Sequence, residues 1–225
     1  MKKIIIAAAV VAGAFGANAQ GLVNFNNSVS AATHISVNST PGGAATGQTP
    51  AVANNFYYEL FASATSSTVG GSSGSIIPPA SGVGGPYVTG ASGWIDTGLS
   101  AVNTASLGKV AGPTAGAFPT ASSWAGGQTV NIVVIGWSAN IGTTIGALEA
   151  FLANPTQLSG TTYIGESAVG SIKLGDGSSI PTSAVLSGTT VPGFTLGVTS
   201  VPEPTSIALG VMGGLSLLAL RRKKA

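Results

Sequence analysis

Two short patterns in this chain have the letter spacing of an activated nucleophile. Ser106 and Lys109 stand as Ser-x-x-Lys, in which a lysine of depressed pKa takes the serine proton. That arrangement belongs at the start of a helix, yet Gly108 and Gly112-Pro113 surround it, so Lys109 reads as a solvated loop charge. Residues 70–74 spell Gly-x-Ser-x-Gly. A nucleophile elbow needs a buried strand before the serine and a helix after it, and here both flanks are Gly/Ser loop. The match reads as chance.

The remaining ionisable groups are few. His34 is the one histidine, and a chain with one histidine and no cysteine cannot build a typical zinc site. The acids of the body are Glu59, Asp96, Glu149, Glu166 and Asp176, spread tens of residues apart. A glycosidase needs two carboxylates on opposite sides of a sugar bond; folding could bring two together, but nothing in the spacing predicts it. Asp176 lies in Gly-Asp-Gly-Ser-Ser, one carboxylate where a calcium loop wants three or more, so a hairpin turn is expected there.

Aromatic rings offer a different chemistry. Trp94, Trp124 and Trp137, with Tyr57, Tyr58, Tyr87 and Tyr163, could stack on sugar rings. Trp137 ends an apolar run and is expected in the core. Trp94 and Trp124 lie beside Gly-rich loops and are expected to be the exposed rings available to a ligand.

The charge balance narrows the partners. The formal net charge is +2, but Lys2, Lys3, Arg221, Arg222, Lys223 and Lys224 crowd the two ends. Between them, Lys109 and Lys173 face five acids, leaving a body of −3. A nucleic-acid reader needs a basic face to displace counterions from phosphates, so nucleic acid is excluded as a partner. No metal or organic cofactor is implied. Zero cysteines rule out disulfides, so core packing must hold the body.

The elements that must position these residues are short. Leu22, Val23 and Phe25 begin a strand; Ile35 and Val37 alternate with Ser36 and Asn38 in a second. Residues 39–50 and 113–127 read as loops, rich in Gly, Pro, Ser and Thr. Residues 54–63 form the best strand of the first half, with Phe56, Tyr58 and Leu60 on one face. Tyr57, Glu59 and Phe61 take the other, as in a half-covered sheet. Residues 64–93 read as a long Gly/Ser/Pro stretch in which Ile76 and Ile77 allow a brief edge strand. A short strand follows over residues 93–99. Within residues 128–139 both faces are apolar over eight residues, which marks a central strand covered on both sides. The one helical pattern follows, with Ile145, Leu148 and Leu152 on a face, Thr144 as cap and Asn154-Pro155 as stop. Residues 161–177 read as a strand or strand pair, and two short strands finish the body. Seven to nine short strands with one short helix predict an all-β, sandwich-like domain over residues 20–200.

Both ends look like signals. Residues 1–19 have two lysines, an apolar stretch and Ala17-Asn18-Ala19, which suits signal-peptidase cleavage after Ala19. Near the other end, residues 205–220 are uncharged. Sixteen residues make roughly 24 Å of helix against a hydrocarbon core of about 30 Å, so spanning is marginal. The basic residues 221–224 would stay cytoplasmic and leave the body outside the inner membrane. Pro202 and Pro204 hold the preceding segment extended, open to a protease.

Val201-Pro202-Glu203-Pro204, a short apolar helix and Arg221-Arg222-Lys223-Lys224 together resemble the PEP-CTERM sorting signal of exported bacterial proteins. The resemblance implies processing by an exosortase, a membrane transpeptidase, with Glu203 as the recognition centre between Pro202 and Pro204. It implies a transient anchor in the inner membrane and a final place at the cell surface or in the extracellular matrix. The body is similar to a group of such proteins without assigned activity, through Trp137, the Glu149 helix and the Gly165-Glu166-Ser167 step. The expected function is that of an exported, non-enzymatic surface or matrix protein. The alternatives are a carbohydrate-binding module for exopolysaccharide, using Trp94, Trp124 or tyrosines, and a secreted hydrolase.

Overall fold

The computed structural model of the chain describes residues 20–27, 33–40, 43–68, 93–118, 124–153, 158 and 160–199. The expected signal peptide with Ala17 and Ala19, and the sorting segment with Pro202, Glu203, Pro204, Arg221, Arg222, Lys223 and Lys224, lie outside them. So do Tyr87, the Ile76-Ile77 edge strand, residues 70–74 and the Asn154-Pro155 stop. Among the described residues no helix is long and apolar enough to cross a membrane.

The described residues are mostly β with one short helix. In order, the strands are β1 (Leu22–Asn27), β2 (Ser36–Asn38), β3 (Ala45–Gln48), β4 (Phe56–Ser63), β5 (Ile95–Asn103), β6 (Val110–Ala111), β7 (Gly116–Ala117) and β8 (Thr129–Ser138). Helix α1 (Ile145–Ala153) precedes β9 (Tyr163–Glu166), β10 (Gly170–Lys173), β11 (Ser183–Leu186) and β12 (Thr195–Val198). Among the described residues twelve strands replace the expected seven to nine. The surplus is β3 and β7, within stretches read as loop, and β6, just before the second of them, two to four residues each. Such short ladders hold too few side chains for a period of two to register.

A nine-stranded sheet runs β3-β2-β12-β9-β8-β4-β5-β6, with β10 also on β8; a three-stranded sheet runs β11-β1-β7. At its centre β4 pairs antiparallel with β8 over Phe56–Ser138 to Ser63–Asn131, and with β5 on its other edge. The even-numbered residues Val130, Ile132 and Val134 join Tyr58, Leu60, Phe25, Val185 and Leu196 in a core shared by both sheets. The odd-numbered Val133, Ile135 and Trp137 pack with Phe61, Leu148 and Phe151 beneath α1. Burying each such side chain contributes roughly 1.5–3 kcal/mol, which sustains a fold without disulfides. As expected, β8 is covered on both faces and Trp137 is core, 1% exposed. The expectation of a half-covered β4 is corrected: α1 and Trp94 close its second face, and Glu59 is buried there.

Helix α1 starts where the sequence places it, the Thr144 hydroxyl accepting from the Ala147 N–H at 3.3 Å. Opposite β4, Gly136 is obligatory for packing. A Cβ there would stand 2.7 Å from Cδ1 of Tyr58, its register partner.

The second edge of β8 is served by two strands rather than one. β9 pairs with Ile135–Trp137 and β10 with Thr129–Ile132. Between them Ser167 takes the place of a ladder residue. Its hydroxyl accepts from the Val134 N–H at 3.0 Å while its own N–H donates to the Val134 carbonyl at 2.8 Å.

Candidate functional site

Two asparagines shape one end of the central strands. Asn103, 1% exposed at the end of β5, accepts through Oδ1 from the N–H groups of Asn55 and Phe56, at 2.8 and 2.9 Å. Its Nδ2 donates to the carbonyls of Val52, at 2.7 Å, and Pro50, at 3.2 Å. One buried amide therefore holds the whole 50–56 segment where β4 begins. The second is Asn140, just past β8, whose Oδ1 accepts from the Ser138 hydroxyl at 2.6 Å and whose Nδ2 donates to Thr162 Oγ1 at 3.1 Å. The Ser138 oxygen also accepts from the Tyr163 N–H at 2.9 Å, and Ala139 donates to the Asn55 carbonyl at 2.8 Å.

Between these struts lies a cleft of about 310 Å³. Pro50, Asn55 and Phe56 form one wall; Ser138, Ala139 and Asn140 form another; Thr161 and Tyr163 close it. The Tyr163 ring is half-buried and leans on the buried Phe56 ring, 5.8 Å between centroids and tilted by 59°. Asn55 and Thr161 are exposed at the rim. None of the described lining residues carries a charge. The cleft thus combines one supported aromatic ring with amide and hydroxyl groups, and its volume lies at the lower end of the about 300–1,000 Å³ of small-molecule sites.

A second cluster joins two carboxyl groups. Glu59 on β4 is 5% exposed and hydrogen-bonds Asp96 on β5. Burial pushes the Glu59 carboxyl up to about 8, and the charge of Asp96 and its hydrogen bond push the same way. Folding therefore brings together two acids that lie 37 residues apart in sequence. A shared proton between carboxyls is how aspartic proteases hold theirs. Glu59, however, sits mid-strand between Tyr57 and Phe61 on the α1-covered face, and neither acid lines the cleft. A directly bonded pair is also closer than the about 5–5.5 Å that retaining glycosidases keep between their carboxyls.

The other expected residues stay apart. Glu149 is exposed on α1 and Glu166 is buried in β9. Asp176 lies at a bend but not in the expected hairpin, because β10 before it pairs with β8 and β11 after it pairs with β1. The Ser179 hydroxyl first, then the N–H groups of Ile180, Ser178 and Ser179, hold its carboxylate well below the usual range. Among the described residues no three His, Cys, Asp or Glu side chains converge on a point. Ser106 and Lys109 belong to a turn closed by the Lys109 N–H on the Ser106 carbonyl at 3.2 Å, not to a helix. Neither ring nitrogen of His34 is hydrogen-bonded, so no serine is paired with it as a nucleophile would be.

The expectation for Trp94 and Trp124 is corrected. They are only 9% and 8% exposed. Trp94 packs beneath α1 with its Nε1 donating to the Thr68 carbonyl at 3.0 Å; Trp124 meets Phe118 edge-on, centroids 5.2 Å apart. Gly-rich flanks describe the freedom of the backbone, and the single large ring in such a loop is what ties it to the core. Among the described residues Tyr163 is the one ring of the expected platform that lines the cleft. Its partners Asn55, Ser138, Asn140 and Thr161 went unread. Their signal is weak: polar turn residues bracketing apolar strands, which any surface turn also shows.

Comparison with family models, with curated proteins and with solved structures finds no match for this chain.

Proposed function

We propose that the chain is an exported, non-enzymatic cell-surface or extracellular-matrix protein, sorted through its carboxy terminus. Its sandwich-like domain over residues 20–200 is the part that stays outside the cell. The observation that carries this reading is the ordered set Pro202-Glu203-Pro204, uncharged residues 205–220 and basic residues 221–224, matched by the export signal of residues 1–19. Signal peptidase removes the first segment after Ala19. An exosortase-type transpeptidase engages Glu203 between its two prolines while residues 205–220 rest in the inner membrane.

Three particulars of the described residues are consistent with the non-enzymatic reading. His34 has no hydrogen-bonded nucleophile, Ser106 and Lys109 share only a turn, and the Glu59–Asp96 pair lies away from the cleft. Mass-spectrometric mapping of the mature protein from envelope and medium tests the proposal. The expected termini are Gln20 and a residue near the Pro-Glu-Pro motif; a mature chain retaining residues 221–225 overturns the processing.

A second reading, a carbohydrate-binding module, is favoured by the neutral aromatic cleft at Tyr163 rather than by Trp94 and Trp124.

A further inference from the structure

We propose that the cleft at Tyr163 binds one uncharged sugar ring of a glycan, with Tyr163 as its stacking platform and Asn55 as a hydrogen-bonding partner. The inference deepens the carbohydrate-binding reading and rests on it; it needs nothing from the terminal signals. Three observations converge. The first is the aromatic support: Tyr163 is half-buried with Phe56 behind it, so its ring is held at a fixed angle before any ligand arrives. A pyranose has an apolar face of C–H groups that fits such a ring and an equator of hydroxyls that does not.

The second is the polar rim. Asn55 and Thr161 are exposed at the cleft edge and offer an amide and a hydroxyl, groups that both donate and accept, as sugar hydroxyls require. The rim is rigid. The Asn55 backbone is fixed on both sides, its N–H by Asn103 at 2.8 Å and its carbonyl by the Ala139 N–H at 2.8 Å. Asn140 is tied to Ser138 and Thr162. Preorganisation of this kind lowers the ordering cost of binding.

The third is charge. With no charged side chain among the described lining residues, the cleft offers nothing to pair with a phosphate, a sulfate or a uronate. At about 310 Å³ it suits one or two rings rather than a lipid chain or a folded partner. A neutral nucleobase could stack on Tyr163 as well, but the described lining has no cation to hold the phosphates around it. The sugar is therefore the ligand that the whole lining fits.

The test is titration calorimetry of the purified full chain in mild detergent. The probes are neutral gluco-, manno-, galacto- and xylo-tetrasaccharides, a uronic-acid tetrasaccharide, and the nucleosides adenosine and uridine. At least one neutral tetrasaccharide should bind, and Tyr163→Ala should weaken it about tenfold or more, whereas Tyr163→Phe should keep it within about twofold. Because Tyr163→Ala also removes a packing partner of Phe56, Asn55→Ala is the independent variant. Only the Asn55 backbone is engaged by Asn103 and Ala139, so its melting temperature should hold while affinity falls about fivefold. The proposal is overturned if no neutral tetrasaccharide binds, if the uronate or a nucleoside binds better, or if both Ala variants leave affinity unchanged. Terminal mapping reads the sorting reading separately, so either can fail while the other stands.

Discussion

The carboxyl group of Glu59 is hydrogen-bonded to that of Asp96 across the β4–β5 ladder, one acid buried to 5% exposure and the other at the surface. Two acids so placed hold a proton between them, and that proton makes the stability of the domain depend on pH.

The direction follows from the raised acid. Unfolded, Glu59 titrates at its ordinary 4.5; folded, it titrates near 8. Between those values the folded chain keeps a proton that the unfolded chain has released. The stabilisation is therefore fully present below about pH 4.5 and is lost as pH rises through about 8. With solvent screening at Asp96, the change is on the order of 2 kcal/mol. Thermal melts at pH 5 and pH 8.5 should show the wild type less stable at the higher pH, and Glu59→Gln should flatten that difference. Equal pH slopes for the two proteins would remove Glu59 as its source.

Asn103→Ala should destabilise the fold by about 2–4 kcal/mol, because it strands the buried N–H of Phe56 and that of Asn55 and frees the 50–56 segment. Urea unfolding measures it. Asn103→Asp, which keeps the acceptor and loses the donor to Val52 and Pro50, should fall between the two. A neutral Asn103→Ala would mean that the segment is held by something else.

Ser167→Ala removes the acceptor for the Val134 N–H in the middle of the sheet. The expected loss is about 1–3 kcal/mol, with faster hydrogen exchange at the Val134 amide. Ser167→Thr keeps the oxygen and should retain most of the protection. Unchanged exchange in the alanine variant would show that the hydroxyl is dispensable there.

Trp94 and Trp124 should emit at short wavelength and resist quenching by iodide, as buried indoles do. Trp124→Ala should lower stability by about 3–5 kcal/mol, since it opens a cavity against Phe118. An exposed surface ring would instead be quenched freely and its removal would change stability by less than about 0.5 kcal/mol.

Much of the fold is legible in the order of residues. The alternation in residues 129–138 assigns Val134 and Val133 to opposite faces, and the structure puts them in separate cores. The helix at Ile145 announces itself by its Thr144 cap and its spacing. These are local patterns, set by geometry within a few residues. β3, β6 and β7 escaped because two to four residues carry no period, and pairing partners far along the chain made them strands.

By itself the sequence determined the β class, the central strand, the helix start, the absence of disulfides and the charge of a body stripped of its ends. It could do so because composition and short-range periodicity act on each segment separately. The cleft and the carboxyl pair were decided by tertiary structure alone. Asn55, Asn140 and Tyr163 are separated by up to 108 residues, and Glu59 meets Asp96 only through the β4–β5 register. The same holds for Trp94 and Trp124, whose flanks are loops but whose rings are core. Where a side chain ends is settled by what packs above it, and no stretch of sequence carries that for its neighbours in space.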